Sequence, residues 1–288
     1  MNSIGLVLEG GGMRGVYTAG VLEYFLEHDI HFPYVLGVSS GASVACSYLA
    51  RQKGRNKKVN IGMAGDSRFL SLRNLWREKS LFGMNFLYDE VPNHLVPLDM
   101  DQMNNSSQTF VIGTTDIKTG RPHYIYHQKE EDVLTAVRAS SSLPMLAPVV
   151  HYKGFQLLDG GVSDPIPIHK SIADGFPYNV IVLTRPRGYR KEPFKLGKLA
   201  RKYYKNYPGF VQALINRPAL YNKTMAEVEK LEEEGQIKVL RPGASLHVHR
   251  TEKDPVKLKE MYQAGFEDAS HLHHEFPDWL DNMYSSAT

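Results

Sequence analysis

The chain has 288 residues, of which 42% are hydrophobic, and a net charge of +3. This length allows a substantial core and fits one large α/β domain at least as well as two small ones. The single cysteine excludes an internal disulfide, no apolar stretch approaches the roughly 18 to 20 residues of a membrane-spanning helix, and the first residues lack the basic region of a secretory signal, so we expect a cytoplasmic location.

The first predicted element is a short apolar strand, Ile4 to Leu8, which leads into a glycine-rich loop, Gly10 to Gly15, and then a helix. The loop matches G-x-G-x-x-G. A dinucleotide site would need an acidic residue near the end of the second strand, where this chain has Gly37 to Ser39, and the G-K-[ST] of a P-loop is missing. The loop is therefore interpreted as a group of backbone N–H donors at a helix N-terminus, which suits an oxyanion.

The second predicted strand, Tyr34 to Leu36, leads into Gly37 to Gly41, a G-x-S-x-G sequence, and a helix from Ala42 to Arg51 follows. A serine on such a strand-to-helix turn presents its hydroxyl as a nucleophile, although an ordinary glycine and serine turn is the alternative. Strands that alternate with helices in this way predict a parallel sheet covered by helices on both faces.

The middle of the chain is less regular, and residues 53–107 carry no motif to which chemistry can be assigned. Beyond them, Asp159-Gly160-Gly161 follows an apolar stretch, and Asp-Gly taken alone is a common hairpin turn. The other elements predicted here are strands at Phe110 to Ile112, Tyr124 to Tyr126 and Val180 to Leu183, an extended segment from Asp164 to Ile168, and a helix from Val133 to Ala139 that runs into Ser140 to Pro144.

A strongly basic run lies between Arg185 and Lys205, where nine Lys and Arg residues face one acid, Glu192. Leu196, Leu199 and Tyr203 recur within this run at helical spacing, which predicts a short amphipathic helix. Basic patches attract nucleic acid, anionic lipid head groups or acidic partners, and many are only solvated surfaces. A smaller basic cluster spans Arg51 to Lys58. The last predicted elements are a helix from Ala219 to Glu234, a strand from Ile237 to Leu240 and a helix from Val256 to Tyr284.

Three motifs in a fixed order now stand together, and the combination resembles the patatin-like phospholipases. The family's G-G-G-x-[RK]-G loop is similar to Gly10 to Gly15, its G-x-S-x-G elbow to Gly37 to Gly41, and its D-G-[GA] motif to Asp159 to Gly161. The segment Ala139 to Pro144 is similar to the A-S-x-A-x-P block of the family. The resemblance covers about residues 4–183, and Glu9 and Asp164 stand where many members have Asp and Asn.

The resemblance implies an α/β fold with a mostly parallel central sheet sandwiched between helices, and a helical C-terminal extension. It places a catalytic domain at residues 1–185 and the basic segment with the helical extension at residues 186–288, packed on the same domain. The implied activity is that of a lipid acyl hydrolase with a Ser-Asp dyad, no metal and no cofactor. The implied roles are Ser39 as nucleophile and Asp159 as base, an oxyanion hole at Gly10, Gly11, Gly12 and Arg14, and motif glycines at Gly15, Gly37, Gly41, Gly160 and Gly161.

An aspartate with an ordinary pKa of about 3.9 is a weak base for a serine hydroxyl, so alignment and oxyanion donors must carry the catalysis. The expected partner is a lipid or another acyl ester, with no nucleic acid. Peripheral contact with an anionic membrane surface is expected through the basic run. The candidate contacts are Lys198, Arg201, Lys202 and Lys205.

Two other functions stay open on the sequence. The first is an α/β-hydrolase in which Ser39 and Asp159 act with a later histidine. The second is a lipid- or nucleic-acid-binding protein without catalysis that acts through the basic run. Cys46 is expected to be buried packing rather than a nucleophile. The histidine candidates for the triad are His247, His249, His271, His273 and His274, of which the last three are expected on a solvated helix rather than in a metal site.

Overall fold

The computed structural model describes residues 4–127 and 132–286, and eight strands in these residues form one sheet. In chain order the strands are β1 (Ile4–Leu8), β2 (Tyr34–Val38), β3 (Thr109–Asp116), β4 (Pro122–Tyr126), β5 (Val150–Tyr152), β6 (Phe155–Asp159), β7 (Tyr178–Val182) and β8 (Ile237–Leu240). The hydrogen-bonded pairs follow the path β5-β6-β3-β2-β1-β7-β8, in which β6 and β2 lie one after the other along one edge of β3, and β4 pairs with the other edge of β3.

The five strands from β3 through β2, β1 and β7 to β8 are parallel, and the pairs that involve β4, β5 and β6 are antiparallel. Parallel neighbours need a crossover connection, which helices supply here. The helices are α1 (Val16–Glu27), α2 (Ser40–Leu49), α3 (Arg55–Lys57), α4 (Leu72–Glu78), α5 (Met100–Asn104), α6 (Val133–Ser140), α7 (Ile168–Ala173), α8 (Gly197–Tyr203), α9 (Pro208–Glu233) and α10 (Pro255–Ser286).

Both faces of the sheet are covered by helices, because alternate residues of the parallel strands point to opposite sides. Leu6 and Leu8 of β1 belong to the large hydrophobic cluster that also contains residues of α1, α2 and α10. Val7 lies between them in sequence and packs on the other face with residues of α7 and α9. The predicted fold, a mostly parallel sheet between helices, is therefore confirmed.

Two predictions about individual elements were wrong. The segment Asp164 to Ile168 is not extended: the chain bends at Pro165 and Ile166, and Ile168 begins α7. Helix α9 begins at Pro208 rather than Ala219 and carries Pro218 inside it. A proline in a helical pattern usually marks a boundary, but here buried apolar residues of the preceding turns hold the helix together; they are Phe210, Val211 and Leu214.

The antiparallel part of the sheet brings β6 to the end of β2. Strand β3 pairs with β4 along residues 111–115, so β6, which pairs with residues 114–116, must use the other edge of β3. That edge is also the one used by β2, whose pairing stops where Val38 meets Gly113. Asp159 meets Thr114, the next residue of β3. The residues that follow β2 and the last residue of β6 therefore lie next to each other at the same edge of β3.

The C-terminal third is built into the same framework. Strand β8 extends the parallel sheet next to β7. Helix α10 packs closely on α1, since a Cβ added to Gly265 would lie 2.1 Å from the carbonyl oxygen of Tyr17 and one added to Gly20 would lie 1.9 Å from that of Tyr262. Among residues 4–127 and 132–286, none of the helices combines the length and apolar character needed to cross a bilayer.

Candidate active site

The candidate site lies at the carboxyl ends of the parallel strands, where ligands bind in open α/β sheets. Ser39 follows β2, Asp159 ends β6, and the glycine-rich loop that begins at Gly10 follows β1. One cavity is lined by Ser39, Asp159 and the loop from Gly10 to Arg14. The three motifs predicted to act together thus meet at one cavity.

Ser39 has a backbone conformation that residues with a Cβ rarely adopt, with φ 55° and ψ −124°. Such a conformation costs about 1 to 3 kcal/mol and persists only where its surroundings enforce it. The Ser39 N–H donates to Ser140 Oγ (2.8 Å), and the Ser140 hydroxyl donates to the Gly113 carbonyl (2.6 Å), which ties the turn to β3. Ser39 is also the N-cap residue of α2, so the positive end of the helix dipole lies at this serine.

Gly41 allows this turn to pack directly on β1. A Cβ at Gly41 would lie 2.5 Å from the carbonyl oxygen of Leu8, which no side chain tolerates. The remaining motif glycines occupy similar close approaches: Gly10 lies against Ser39, Gly15 against Ser40, Gly37 against Ala42, Gly160 against Gly113 and Gly161 against Asp159.

The glycine-rich loop is held by two further contacts. The Gly11 N–H donates to Ser40 Oγ (2.8 Å), and the Met13 N–H donates to the Arg250 carbonyl (3.0 Å). Gly12 has a φ of 59°, and the Arg250 side chain lies against it. The Gly11 amide is therefore already engaged with Ser40, while the loop as a whole borders the cavity.

Asp159 is only 2% exposed, and its Oδ1 accepts a hydrogen bond from the Gly161 N–H (2.8 Å). Arg217 of α9 donates from Nε to the Gly161 carbonyl (2.5 Å) and thereby holds the same turn. Within the described part of the chain, no hydrogen bond joins Ser39 Oγ to Asp159. Catalytic hydrogen bonds are often long without substrate and tighten only in the complex.

Glu9, which precedes the glycine-rich loop, accepts hydrogen bonds that the sequence did not predict. Its Oε2 accepts from the Thr184 N–H (2.6 Å) and from Thr184 Oγ1 (3.0 Å). The carboxylate thus links the end of β1 to the chain that follows β7. Asp164, the other departure from the family pattern, accepts a hydrogen bond from Tyr124, and burial raises its pKa.

The irregular region from residue 53 to 107 supplies an apolar wall of the cavity, a role for which its sequence gave no motif. Arg55 is buried within this region and donates to the carbonyls of Val96 and Pro97 and to Ser47 Oγ. The helix α6 adds Leu134 and Val137 to the wall. The apolar residues contributed by the irregular region are Val59, Phe69, Phe82, Met84, Leu87, Val91, Pro92 and Leu98.

Five basic side chains that come from distant parts of the sequence line the cavity near the catalytic loops. They interact electrostatically with one another and with Glu9. Only Arg14 was singled out by the sequence motifs. The five residues, here called the cationic cluster, are Arg14, Arg185, Lys191, Arg217 and Arg250.

The basic run from Arg185 to Lys205 does not form one surface. Arg185 and Lys191 line the cavity, and Arg190 pairs with Glu229 of α9. The helix predicted here is confirmed as α8. Two exposed apolar side chains, Leu199 and Tyr203, lie on this helix, and a third, Leu196, lies directly before it. The predicted membrane contacts are all exposed, on or directly after this helix: Lys198, Arg201, Lys202 and Lys205.

The cavity lining, taken over the described residues, contains none of the five late histidines. His273 lies beside Tyr24, with 3.1 Å between its Nδ1 and the tyrosine oxygen, on the α1 side of α10. Cys46 lines the apolar part of the cavity and is buried, which raises the pKa of its thiol to about 12. The thiolate that a cysteine nucleophile needs is therefore disfavoured.

Comparison with protein families gives two matches that divide the chain. The model of the patatin-like phospholipase family matches residues 6–172. A second model, described as a domain of unknown function (DUF6363), matches residues 207–281. The first match contains all three motifs and covers more than half of the chain.

Individual relatives differ in how much of their length this chain covers. The uncharacterized protein YjjU of Escherichia coli is 27% identical over 271 residues, which are 91% of this chain and 74% of YjjU. Lysophospholipase nte1 of Aspergillus fumigatus is 30% identical over 180 residues, which are 58% of this chain but 11% of that enzyme. The crystal structure of VipD from Legionella pneumophila aligns with 94% of this chain and 67% of VipD, with a TM-score of 0.56 and 13% identity, a likeness of fold alone.

Proposed function

The chain belongs to the patatin-like phospholipase family, and on that basis we propose that it is a lipid acyl hydrolase that cleaves carboxylic esters through an acyl-enzyme intermediate. Ser39 is the nucleophile and Asp159 the general base. The oxyanion hole is formed by the loop of Gly10, Gly11 and Gly12 with Arg14 beside it. The name of nte1 is consistent with a lipid ester substrate for this family.

In the proposed reaction, Asp159 takes the proton of the Ser39 hydroxyl as the serine oxygen attacks the ester carbonyl. The tetrahedral intermediate collapses when the bond to the alcohol breaks, and Asp159 returns the proton to the departing alkoxide. Water then attacks the acyl-serine with Asp159 again as base, which releases the fatty acid and restores Ser39. No metal or cofactor is required by these steps.

The observation that carries the proposal is the conformation of Ser39. A strained serine at the N-terminus of a buried helix, in the same cavity wall as a buried carboxylate, is the arrangement expected of an activated nucleophile. The strain has no structural purpose, since a glycine at this position would relieve it.

Stabilisation of the oxyanion is assigned mainly to the amides of Gly10 and Gly12. The amide of Gly11 contributes only if it exchanges Ser40 Oγ for the substrate oxygen, because it donates to that hydroxyl in the structure. Arg14, within the same loop, adds positive potential: it is buried, and its Nε has no hydrogen-bond partner in the described chain. The apolar wall from residues 59–98 accommodates the acyl chain.

Two observations weigh against the alternatives. A Ser-His-Asp triad needs a histidine beside Ser39, whereas the described lining of the cavity contains none. A binding protein without catalysis has no use for a strained serine.

We also propose that α8 contacts the membrane surface peripherally. Its exposed Leu199 and Tyr203 supply apolar contact area, and its exposed basic residues supply attraction to anionic lipids. An enzyme acting on lipids gains access to substrate through such a contact.

The test is labelling with a fluorophosphonate followed by peptide mapping, together with hydrolysis of p-nitrophenyl esters of increasing chain length. Label on Ser39 in the wild type, and loss of hydrolysis in Ser39→Ala and Asp159→Asn, are expected. The histidine variants His249→Ala and His273→Ala are the matched controls and should retain hydrolysis. Activity that survives Ser39→Ala would refute the hydrolase mechanism, and loss in a histidine variant would favour the triad.

A further inference from the structure

Residues 69–83, here called the α4 flap, leave the core and return to it beside their starting point. Leu70 and Phe82 pair as an isolated antiparallel bridge. The Gly83 N–H donates to the Phe69 carbonyl (3.0 Å), and α4 forms the middle of this closed segment. Phe69 and Phe82 line the cavity, whereas its described lining contains no residue of α4. The base of the flap therefore borders the cavity, and α4 lies outside it.

The outward side of α4 combines apolar and basic side chains. Leu72 is 72% exposed, and Trp76, one helical turn later, is 91% exposed, the largest value for a large hydrophobic side chain in the described chain. Arg73 and Arg77 are also exposed and repeat the same spacing next to them. Two large apolar side chains exposed side by side indicate a contact that the chain alone does not make.

Hydrogen bonds fix which side of α4 faces outward. Asn74 is buried, and its Nδ2 donates to the Arg68 carbonyl (3.0 Å). The one acid of α4, Glu78, is turned back toward the chain, where its Oε2 accepts from the Asn85 N–H (3.0 Å). The outward face therefore has a defined orientation, and its charge is positive.

The positive charge of this face is available to a partner. Arg73 and Arg77, with Lys79 directly after the helix, are exposed, and within the described residues none of them forms an ion pair with a carboxylate. Tryptophan is enriched where water meets lipid, because its ring is apolar and its N–H can donate to polar groups. Neighbouring basic residues are attracted to anionic head groups. An anionic membrane surface matches both properties, whereas an apolar protein groove would leave the basic side chains without partners.

One loop contacts both the α4 flap and the end of α8. The Leu81 N–H donates to the Leu146 carbonyl (3.0 Å). The Met145 N–H donates to the hydroxyl of Tyr204, the residue directly after α8 (2.9 Å). Leu146 is itself 39% exposed, and Leu143 of the same loop lines the cavity. The flap and α8 are therefore both attached to a loop that borders the cavity, which places them near the same side of the molecule.

We propose that the α4 flap is a membrane-inserting element, in which Leu72 and Trp76 enter the interfacial layer of an anionic bilayer. Arg73 and Arg77 contact its phosphate groups, and the basic residues of α8 add attraction to the same surface. The side of the cavity that the flap borders then faces the lipid. The inference rests on the proposed function in one respect, because a lipid ester reaches the cavity from this surface.

The tryptophan fluorescence of the unmodified protein reports this insertion. The sequence contains two tryptophans, and the second, Trp279, is buried, with its Nε1 donating to the Gly235 carbonyl (2.8 Å). The probes are vesicles of ether-linked phosphatidylglycerol and phosphatidylcholine, whose chains a carboxylic-ester hydrolase cannot remove. With these vesicles we expect the emission to shift to shorter wavelength and to be quenched when the lipid chains carry bromine. Trp76→Phe should lose both effects.

Sedimentation with the same vesicles measures how much each side chain contributes. Trp76→Ala should lower the partition coefficient about tenfold, because the indole no longer leaves water. Arg73→Gln combined with Arg77→Gln should lower it about tenfold or more at low salt and less at high salt. The matched control is Ile172→Ala. Ile172 is an exposed apolar residue of α7 shortly before β7 begins, at the end of the sheet opposite the cavity, so this variant should bind like the wild type.

Three results would overturn the proposal. The first is an emission spectrum that the vesicles leave unchanged, and the second is an equal partition coefficient for Trp76→Ala and the wild type. The third is a dimer in analytical ultracentrifugation that Trp76→Ala dissociates while vesicle affinity stays the same, since the exposed patch would then be an interface between copies of the chain.

Hydrolysis of soluble p-nitrophenyl butyrate separates this proposal from the hydrolase mechanism. Trp76→Ala should retain this hydrolysis, because α4 lies outside the described lining of the cavity. A fluorescence response to vesicles without any esterase activity would keep the membrane contact and refute the hydrolase. Esterase activity without a response to vesicles would do the reverse.

Discussion

Ser39 shows at the scale of one residue how the chain gives up stability at the reaction centre. Its positive φ is enforced from three sides: by the hydrogen bond to Ser140, by the close approach of Gly41 to Leu8, and by the start of α2. The sequence predicted the residue and the turn, because G-x-S-x-G after an apolar run is a local pattern. The strain itself depends on contacts with β1 and β3, which no local pattern contains.

Two replacements of Ser39 that both remove the nucleophile should show how much the backbone strain at this residue lowers the stability of the protein. Ser39→Ala keeps the Cβ and hence the strain, whereas Ser39→Gly removes both, so the glycine variant should have the higher free energy of unfolding by about 1 kcal/mol. Urea-induced unfolding of the two inactive variants measures the difference. An alanine variant at least as stable as the glycine variant would show that the backbone of Ser39 is not held under strain.

Lys191 should make stability depend on pH. Its pKa is about 6 in the folded chain and about 10.4 when unfolded, so unfolding takes up a proton between these values and stability falls as the pH falls. Lys191→Met removes this contribution. Burial is the main cause of the lowered pKa of Lys191, and the charge of Arg217 is the next; Glu9 acts in the opposite direction, while Arg250 and Arg14 lower the pKa further.

The stability gained by Lys191→Met over the wild type should therefore grow from about pH 10 down to about pH 6 and then stay constant. Urea-induced unfolding of the wild type and of Lys191→Met at several pH values between about 6 and 10 measures this difference. The exposed lysine variant Lys195→Met is the control and should show no such growth. A constant difference between Lys191→Met and the wild type would contradict the assignment.

At the scale of elements, α8 is the part of the basic run that stays available for a membrane. Other residues of the run already interact within the protein, because Arg190 forms an ion pair with Glu229 and Lys191 lines the cavity. A sequence shows the charges of such a run but not how the fold divides them among separate surfaces.

Neutralising α8 should weaken binding to anionic vesicles. Each basic residue near such a surface contributes about 1 kcal/mol, so Lys202→Gln with Lys205→Gln should lower affinity about tenfold or more at low salt. The control is the pair Lys223→Gln and Lys230→Gln on α9, which should have little effect. Vesicle sedimentation with anionic and neutral lipids measures both. Equal losses in the two double variants would mean that net charge rather than α8 drives binding.

The five parallel strands, β4 and the longer helices were predictable because each is a local hydrophobic pattern, whereas β5 and β6 were not predicted as strands. The errors fell where tertiary contacts override such a pattern, as in α9, whose first turns are held by Phe210 and Leu214 despite Pro218. The cavity walls were not predictable for the same reason. The apolar wall comes from loops and short helical segments between residues 59 and 98 together with α6, and the cationic cluster gathers residues from positions 14 to 250.

At the scale of the whole molecule, the C-terminal third completes the site. Arg217 from α9 holds the turn after Asp159, and the Arg250 carbonyl holds the glycine-rich loop. The two family matches, residues 6–172 and residues 207–281, therefore describe parts that meet at one cavity.

The contact between α1 and α10 should control the stability of the entire chain. Gly265→Ala would place a methyl group about 2.1 Å from the Tyr17 carbonyl, so α10 must shift, and overpacking of this kind costs about 1 to 3 kcal/mol. We expect one cooperative thermal transition at a lower Tm by roughly 2 to 10 °C. Gly65→Ala is the control, because a Cβ there meets nothing within 4 Å. A separate, earlier transition would instead indicate that α10 unfolds independently.

Because Cys46 is buried, the reactivity of its thiol depends on how accessible the interior of the protein is. With the one thiol of the sequence buried against the cavity and protonated in the folded state, alkylating reagents should modify it slowly unless the cavity or the interior opens. Pulse alkylation followed by mass spectrometry would then measure how often the thiol becomes accessible. An acyl chain that fills the same apolar wall should slow the modification, which makes the thiol a sensor of cavity occupancy without any engineered label.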